Sequence, residues 1–200
     1  MQRPRNQSLQ ALLSELEGFG RSNDQANSER SRRMLNITRD TGEFLCVIAQ
    51  ATNARRILEI GTSNGYSTLW LALAAQAIAG HVTTVESSEY KITLATENFN
   101  RSGLSDFVTQ VAGNATDLLE TEGDSRFDLV FLDSERSEYP GWWLNIRRIL
   151  RPGGLLVVDN ALSHADEMAQ FIAIVSEDPA FSTCTLPVGN GEFLATRSVR

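Results

Sequence analysis

The sequence predicts an α/β fold: a seven-stranded, mostly parallel sheet with helices on both faces and a C-terminal antiparallel β-hairpin. Three observations lead there. Short apolar or β-branched runs alternate five times with segments of helical periodicity, the pattern of a parallel sheet covered by crossover helices. The first run enters its helix through a glycine-bearing turn, Gly61-Thr62-Ser63-Asn64-Gly65. The last two runs are separated only by Gly189-Asn190-Gly191, a turn chemistry that makes a hairpin.

Residues 1–33 are polar and arginine-rich and precede a single domain over residues 34–200. Leu9, Leu12, Leu13 and Leu16 fall at helical spacing within residues 9–19, and Gly18 and Gly20 are expected to end that helix. Residues 22–31 read either as a mobile loop that acts as a lid or as a frayed terminus. Thr38 is an N-cap candidate for a helix carrying Phe44, Leu45, Ile48 and Ala49 and ending near Asn53.

The first strand is expected over residues 56–60 and its helix over 66–78, with Leu69, Trp70, Leu73 and Ala77 on one face and Gly80 closing it. A second strand follows at 81–86, then a helix at 89–101 with Gly103 as its stop. The third strand is expected at 107–112 and a short helix at 115–120. Residues 127–133 are almost continuously apolar, which marks a central buried strand. A helix at 139–150 is punctuated by Pro152-Gly153-Gly154; a fifth strand at 155–159 and a helix at 165–176 follow. Residues 181–188 and 192–197 form the hairpin.

Two hundred residues suit one domain with a sizeable core. The net charge of −7 argues against a nucleic-acid or membrane-surface partner. No apolar run approaches the ~18 residues of a membrane span, and no signal-type apolar segment is seen, so a cytoplasmic location is expected. Cys46 and Cys184 are expected to be buried free thiols; their number and spacing make neither a disulfide framework nor a zinc site.

The turn at Gly61 and Gly65 lacks the third glycine of a dinucleotide fingerprint and the lysine of a P-loop. Glu59 lies within the apolar strand before it and meets either a structural partner or a cationic ligand group. Glu86 ends the second strand, where a carboxylate can accept both hydroxyls of a ribose; the other reading is a favourable charge at a helix start. Asp133 ends the fourth strand and Asp159-Asn160 the fifth. Side by side, they make a hard-oxygen set suited to Mg²⁺, Mn²⁺ or Ca²⁺, or else they cap helices and loops.

Three segments then carry a resemblance: Leu58-Glu-Ile-Gly-Thr-Ser-Asn-Gly-Tyr-Ser67, Phe127-Asp-Leu-Val-Phe-Leu-Asp133 and Gly153-Gly-Leu-Leu-Val-Val-Asp-Asn160. Over residues 34–197 the chain resembles class I, Rossmann-like S-adenosylmethionine-dependent O-methyltransferases. More narrowly, it is similar to the cation-dependent group that includes catechol and caffeoyl-CoA O-methyltransferases. The resemblance implies that Glu59, Gly61, Thr62, Ser63, Tyr66 and Ser67 surround the methionine part of S-adenosylmethionine, with Gly65 allowing close backbone approach. It implies that Glu86 holds the ribose, that Gly113, Asn114 and Ala115 flank the adenine, and that Leu35, Asn36 and Ile37 close over the cofactor. It makes Asp133, Asp159 and Asn160 the metal ligands, with Mg²⁺ the implied ion and Asp133 also bordering the cofactor. It further implies a homodimer, which the amphipathic first helix also suggests.

One position departs from the family pattern. Relatives acting on catechols carry a lysine base three residues after the first metal aspartate; here that residue is Arg136, which stays protonated. Lys91, the only lysine, belongs to the helix after the second strand. Either the metal alone acidifies the hydroxyl, or His164, four residues past Asn160, is the alternative base unless it is a cap or surface residue. Arg136 is left to neutralise a phenolate, to bind a substrate carboxylate or phosphate, or to form a structural ion pair. Tyr139, Trp142 and Trp143 either wall an aromatic acceptor or belong to the core. The expected activity is methyl transfer from S-adenosylmethionine to a small phenol or vicinal diol. A tRNA wobble-uridine hydroxyl as acceptor, or cofactor binding without turnover, stays open at this point.

Overall fold

The computed structural model describes residues 3–199, with side chains from Ser8 to Val199. Its elements run α1 (Arg3–Ala26), α2 (Arg39–Ala51), β1 (Arg56–Ile60), α3 (Tyr66–Ile78), β2 (His81–Glu86), α4 (Glu89–Ser102) and β3 (Val108–Ala112). They continue with α5 (Ala115–Thr121), β4 (Phe127–Leu132), α6 (Tyr139–Ile149), β5 (Leu150–Val158), α7 (Ala165–Glu177), β6 (Phe181–Leu186) and β7 (Glu192–Arg197). Three short 3-10 turns lie at Arg30–Arg32, Ser105–Phe107 and Arg136–Glu138. The strands form one seven-stranded sheet in the order β3-β2-β1-β4-β5-β7-β6. β1 to β5 pair in parallel, whereas β7 runs antiparallel to both β5 and β6. The expected architecture is therefore the observed one.

Strand order reverses between β1 and β4, and a sheet of this type opens a crevice beyond the carboxyl ends at that point. All six residues of β4 are buried. Leu129 and Phe131 join the core on the face of α1 to α4, while Val130 and Leu132 join the core beneath α6 and α7. Successive strand side chains point to opposite faces, so one continuous apolar run serves two cores. Among the described residues, no helix is long and apolar enough to cross a membrane.

The N-terminal segment departs from expectation. Helix α1 continues past Gly18 and Gly20 to Ala26, so residues 22–26 are helical. Tertiary contacts outweigh the glycine stop signals. Asn36 Nδ2 donates to Leu16 O at 3.1 Å, and Asp24 accepts the Met34 and Leu35 N–H groups at 2.6 and 2.9 Å. Asn23 Nδ2 donates to Arg32 O at 2.8 Å. Leu9, Leu12, Leu13 and Leu16 are buried within the same chain, so the apolar stripe of α1 is already covered.

Two smaller corrections follow from the sheet. β5 begins at Leu150, so Pro152-Gly153-Gly154 lies inside it; a register shift against β4 between Phe127 and Leu129 accommodates the irregular stretch. Cys46 is buried as expected, but Cys184 is exposed because β6 is an edge strand with only β7 beside it.

β1 carries an interior acid, Glu59, that is fully buried. Its Oε1 accepts the Ser67 hydroxyl at 2.6 Å; its Oε2 accepts the Thr84 hydroxyl at 2.6 Å and also that of Thr68. Ser67 and Thr68 open α3 and Thr84 lies on β2, so one carboxyl group joins three elements. Thr62 meets Thr84 Oγ1 at 2.6 Å and extends the network into the turn. Burial pushes Glu59 up to about 7, against the pull of the three hydroxyls. Folding thus favours the protonated carboxyl: its contribution is present below about pH 4.5 and is lost as pH rises through about 7. Glu59→Gln keeps the shape and removes the titration. Denaturant unfolding at about pH 5 and about pH 8.5 is expected to show the native chain losing about 2–3 kcal/mol relative to E59Q as pH rises. A gap that does not change with pH would contradict this assignment.

Candidate active site

The carboxyl ends of β1 to β5 open into a cavity of about 710 Å³. The residue after β1, β3, β4 and β5 stays tied to a neighbouring strand. Gly61 N–H donates to Val85 O at 3.1 Å, Asp133 N–H to Ile60 O at 3.0 Å, Asp159 N–H to Leu132 O at 3.1 Å, and Gly113 N–H to Glu86 O at 2.9 Å. These ladder bonds hold the candidate residues along one sheet edge. Gly61 has φ +105°, and a Cβ there would lie 2.1 Å from Asp133 O, so the turn requires glycine. Gly65, at φ +85°, likewise leaves room for Phe99.

Gly61, Ser63, Glu86, Gly113, Asn114, Ala115 and Asp133 line the cavity. Glu86 is held by backbone: Oε2 accepts Ser63 N–H at 2.9 Å, and Oε1 accepts Ser87 and Ser88 N–H at 3.0 Å each. Ser63 Oγ donates to Met34 O at 2.7 Å and joins the N-terminal segment to the turn. Asn114 uses its amide oxygen to cap α5, accepting Thr116 N–H at 2.8 Å, which leaves its Nδ2 for other contacts.

Six expected contact residues stand behind the wall: Ile37, Glu59, Thr62, Gly65, Tyr66 and Ser67 do not line the cavity. Ile37 packs in the core, and Thr62 and Ser67 belong to the Glu59 network. The Tyr66 hydroxyl donates to Glu17 Oε1 of α1 at 2.6 Å. Their side chains support the turn. Sequence spacing marks the turn as a unit and does not separate the residues that face a ligand from those beneath it. Leu35 and Asn36 do line the cavity, together with Asp24, Arg30 and Ser31.

Asp133, Asp159, Asn160, Arg136 and His164 form the other half of the wall. Asn160, at φ +70°, turns its amide back on both carboxyl groups: Nδ2 lies 2.8 Å from Asp159 Oδ2 and 3.4 Å from Asp133 Oδ1. Asp159 Oδ1 and Glu192 Oε2 are both buried with no N–H or hydroxyl donor, and Asp159 and Glu192 hydrogen-bond to each other through their carboxyl groups. Burial and the Asp159 charge push Asp133 up, while Arg136 and Lys91 pull it down. Burial also raises Asp159, against its hydrogen bond with Glu192. Among the described residues, no group of three or more His, Cys, Asp or Glu side chains forms a metal cluster. The set here is two carboxyl groups and an amide. The hard oxygens of this donor set, at the cavity wall, fit a divalent cation. Flipping the Asn160 amide would turn its oxygen towards them, with the Ser163 hydroxyl still its neighbour on the other side.

Arg136 is buried, and its Nε donates to Glu167 Oε2 at 2.8 Å. His164 Nδ1 lies 2.9 Å from Ser163 Oγ. Lys91 also lines the cavity, from α4. The three aromatic residues divide. Tyr139 and Trp143 pack against Phe171 in the core, while Trp142 lines the cavity with its Nε1 bonded to Thr116 Oγ1 at 2.9 Å.

Glu192 was not anticipated. It is fully buried at the start of β7, accepts the Thr41 hydroxyl at 2.9 Å and meets Asp159. Burial and the Asp159 charge push its carboxyl far above the ordinary range, so Glu192 holds a proton against Asp159. The signal in the sequence was a lone charge before the apolar run Phe193-Leu194-Ala195.

The chain was compared with known proteins. The O-methyltransferase family pattern matches residues 21–198. Over 134 residues the chain is 38% identical to a catechol O-methyltransferase of Mycobacterium tuberculosis, covering 67% of this chain and 60% of that protein. A catechol O-methyltransferase of Niastella koreensis is 34% identical over 138 residues, covering 68% of this chain and 62% of its own length. The chain thus spans about three fifths of the length of these two relatives. Among solved structures, an O-methyltransferase from Bacillus cereus in complex with S-adenosylhomocysteine superposes with a TM-score of 0.78 at 28% identity, covering 94% of this chain and 91% of that one. TomG from Streptomyces achromogenes, an O-methyltransferase in complex with S-adenosylmethionine, gives 0.76 at 28% identity, covering 94% and 89%. The family pattern spans nearly the whole chain, and the chain belongs to the O-methyltransferase family.

Proposed function

We propose that this chain transfers a methyl group from S-adenosylmethionine to a hydroxyl of a small phenolic or vicinal-diol acceptor, assisted by a divalent cation, Mg²⁺. One observation carries the reading. Glu86 and Gly113 on one side of Gly61, and Asp133, Asp159 and Asn160 on the other, open into a single cavity. Donor and acceptor subsites then share a wall, as direct transfer needs. The relatives named above, two of them with a bound cofactor or its product, support the choice of donor.

S-adenosylmethionine supplies an electrophilic methyl group on a sulfonium. In this reading Glu86 accepts the ribose hydroxyls while its backbone donors keep it in place. Gly113, Ala115 and the free Nδ2 of Asn114 flank the adenine. Asp133, Asp159 and Asn160 would hold the cation, which would supply Lewis acidity to an acceptor hydroxyl. Arg136 keeps its proton and is not the base. His164, steadied through Nδ1 by Ser163, receives the hydroxyl proton at Nε2. Much of the acceleration comes from holding acceptor oxygen and methyl carbon in line.

Two outcomes test this reading. Glu86→Gln is expected to weaken S-adenosylhomocysteine binding ~10- to 100-fold by calorimetry, the worth of hydrogen bonds to a charged group; unchanged affinity would remove Glu86 from the donor subsite. Asp159→Asn is expected to lower turnover at least ~100-fold, the loss of Lewis-acid stabilisation, with S-adenosylhomocysteine affinity nearly unchanged. EDTA should abolish native turnover and Mg²⁺ should restore it; full activity in EDTA would sink the cation assignment.

A further inference from the structure

The proposed reaction leaves Arg136 without a task. It sits in the 3-10 turn before α6, with its side chain only 6% exposed, and it lines the cavity. Within 4.0 Å it pairs with Glu167 alone among the described acids, through Nε. Glu167 itself is 54% exposed and sits on the outer side of the pair. Nη1 and Nη2 donate to no described residue, yet neither belongs to the sealed, unpartnered atoms of the interior. Arginine cannot shed its proton to ease burial. The two terminal nitrogens are thus open donors on a nearly buried guanidinium at the cavity wall, placed to meet an acceptor on a bound molecule.

We infer that the terminal nitrogens of Arg136 bind a carboxylate carried by the acceptor, so that the substrate class is a hydroxylated acid. This rests on the methyl-transfer reading. A planar pair of N–H donors matches a carboxylate two oxygens at a time. The charge on the wall narrows the choice further. Asp133, Asp159, Glu135 and Glu138 already line it, and a singly charged carboxylate is repelled less than a dianionic phosphate ester. A reacting oxygen alone would engage one donor and leave the other unfilled. Trp142 adds a ring surface in the same cavity, suited to an aromatic acid.

The test compares 3,4-dihydroxybenzoate with 3,4-dihydroxybenzamide, and uses catechol as the neutral reference. With the native chain, S-adenosylmethionine and Mg²⁺, kcat/KM is expected to favour the acid over the amide ~10- to 100-fold, the worth of charged hydrogen bonds, mainly through KM. Arg136→Gln should bring that ratio close to one, and Arg136→Lys should retain part of it. A ratio near one in the native chain, or one unchanged in R136Q, would overturn the assignment. Calorimetry of both compounds with protein saturated by S-adenosylhomocysteine reads the same preference without turnover. Methylation of all three compounds without preference would remove the carboxylate site and leave the reaction standing. Selective binding of the acid with no methyl ether formed would do the reverse. Should R136Q fail to fold, the native acid-to-amide ratio in binding decides alone.

Discussion

A carboxyl group buried under a turn holds this site together. Glu59 sits inside a strand whose other interior positions are apolar, and burying it without partners would cost several kcal/mol. Ser67, Thr68 and Thr84 meet that cost with three hydroxyl donors drawn from α3 and β2. The consequence is positional. The start of α3, the end of β1 and the middle of β2 cannot shift independently, and the Gly61–Gly65 turn spans them. Thr62 extends the same bonds into the turn. A leucine at position 59 would fill the space but would leave three buried hydroxyls without acceptors. Of the two readings of Glu59, the structural partner is the one observed, and it shapes the site from beneath.

The edge above the turn is strongly acidic. Asp133, Asp159 and Glu192 cluster there; burial raises all three, and the Asp159 charge raises Asp133 and Glu192 further. Arg136 and Lys91 offset part of that charge. A cationic sulfonium and a divalent ion both carry the sign this wall lacks, which is a physical reason for the proposed donor and cation to share it. The same wall then disfavours an anionic acceptor except where Arg136 receives it. Electrostatics therefore couples the donor, the cation and the acceptor class in one cavity.

The fold was legible because its signals are periodic. The five alternations, the glycine turn and the hairpin spacing each reflect backbone geometry, whereas the strand order is visible only in the folded sheet. That Asp133, Asp159, Asn160 and Glu86 lie along one cavity was also legible, since strand ends in a parallel sheet share one edge. Three things were not. Helix α1 runs past two glycines because Asp24 and Asn36 bond across it, which is tertiary information. The Tyr66 and Ser67 hydroxyls bond Glu17 and Glu59, which position in the turn alone does not tell, because it does not say which way a side chain points. Glu192 lies 33 residues from Asp159 in sequence and meets it only because β7 returns antiparallel beside β5.

The central claim is that a methyl donor lies over the Gly61 turn and its acceptor lies at the Asp133 edge of the same cavity. The most direct measurement is single-turnover incubation of the native chain with S-adenosylmethionine carrying a trideuterated methyl group, catechol and Mg²⁺, followed by mass spectrometry. The account predicts one intact trideuteromethyl group on one catechol oxygen, with one S-adenosylhomocysteine formed for each ether. A chain that binds the donor fully and forms no labelled ether with catechol or its carboxylated analogue would contradict it.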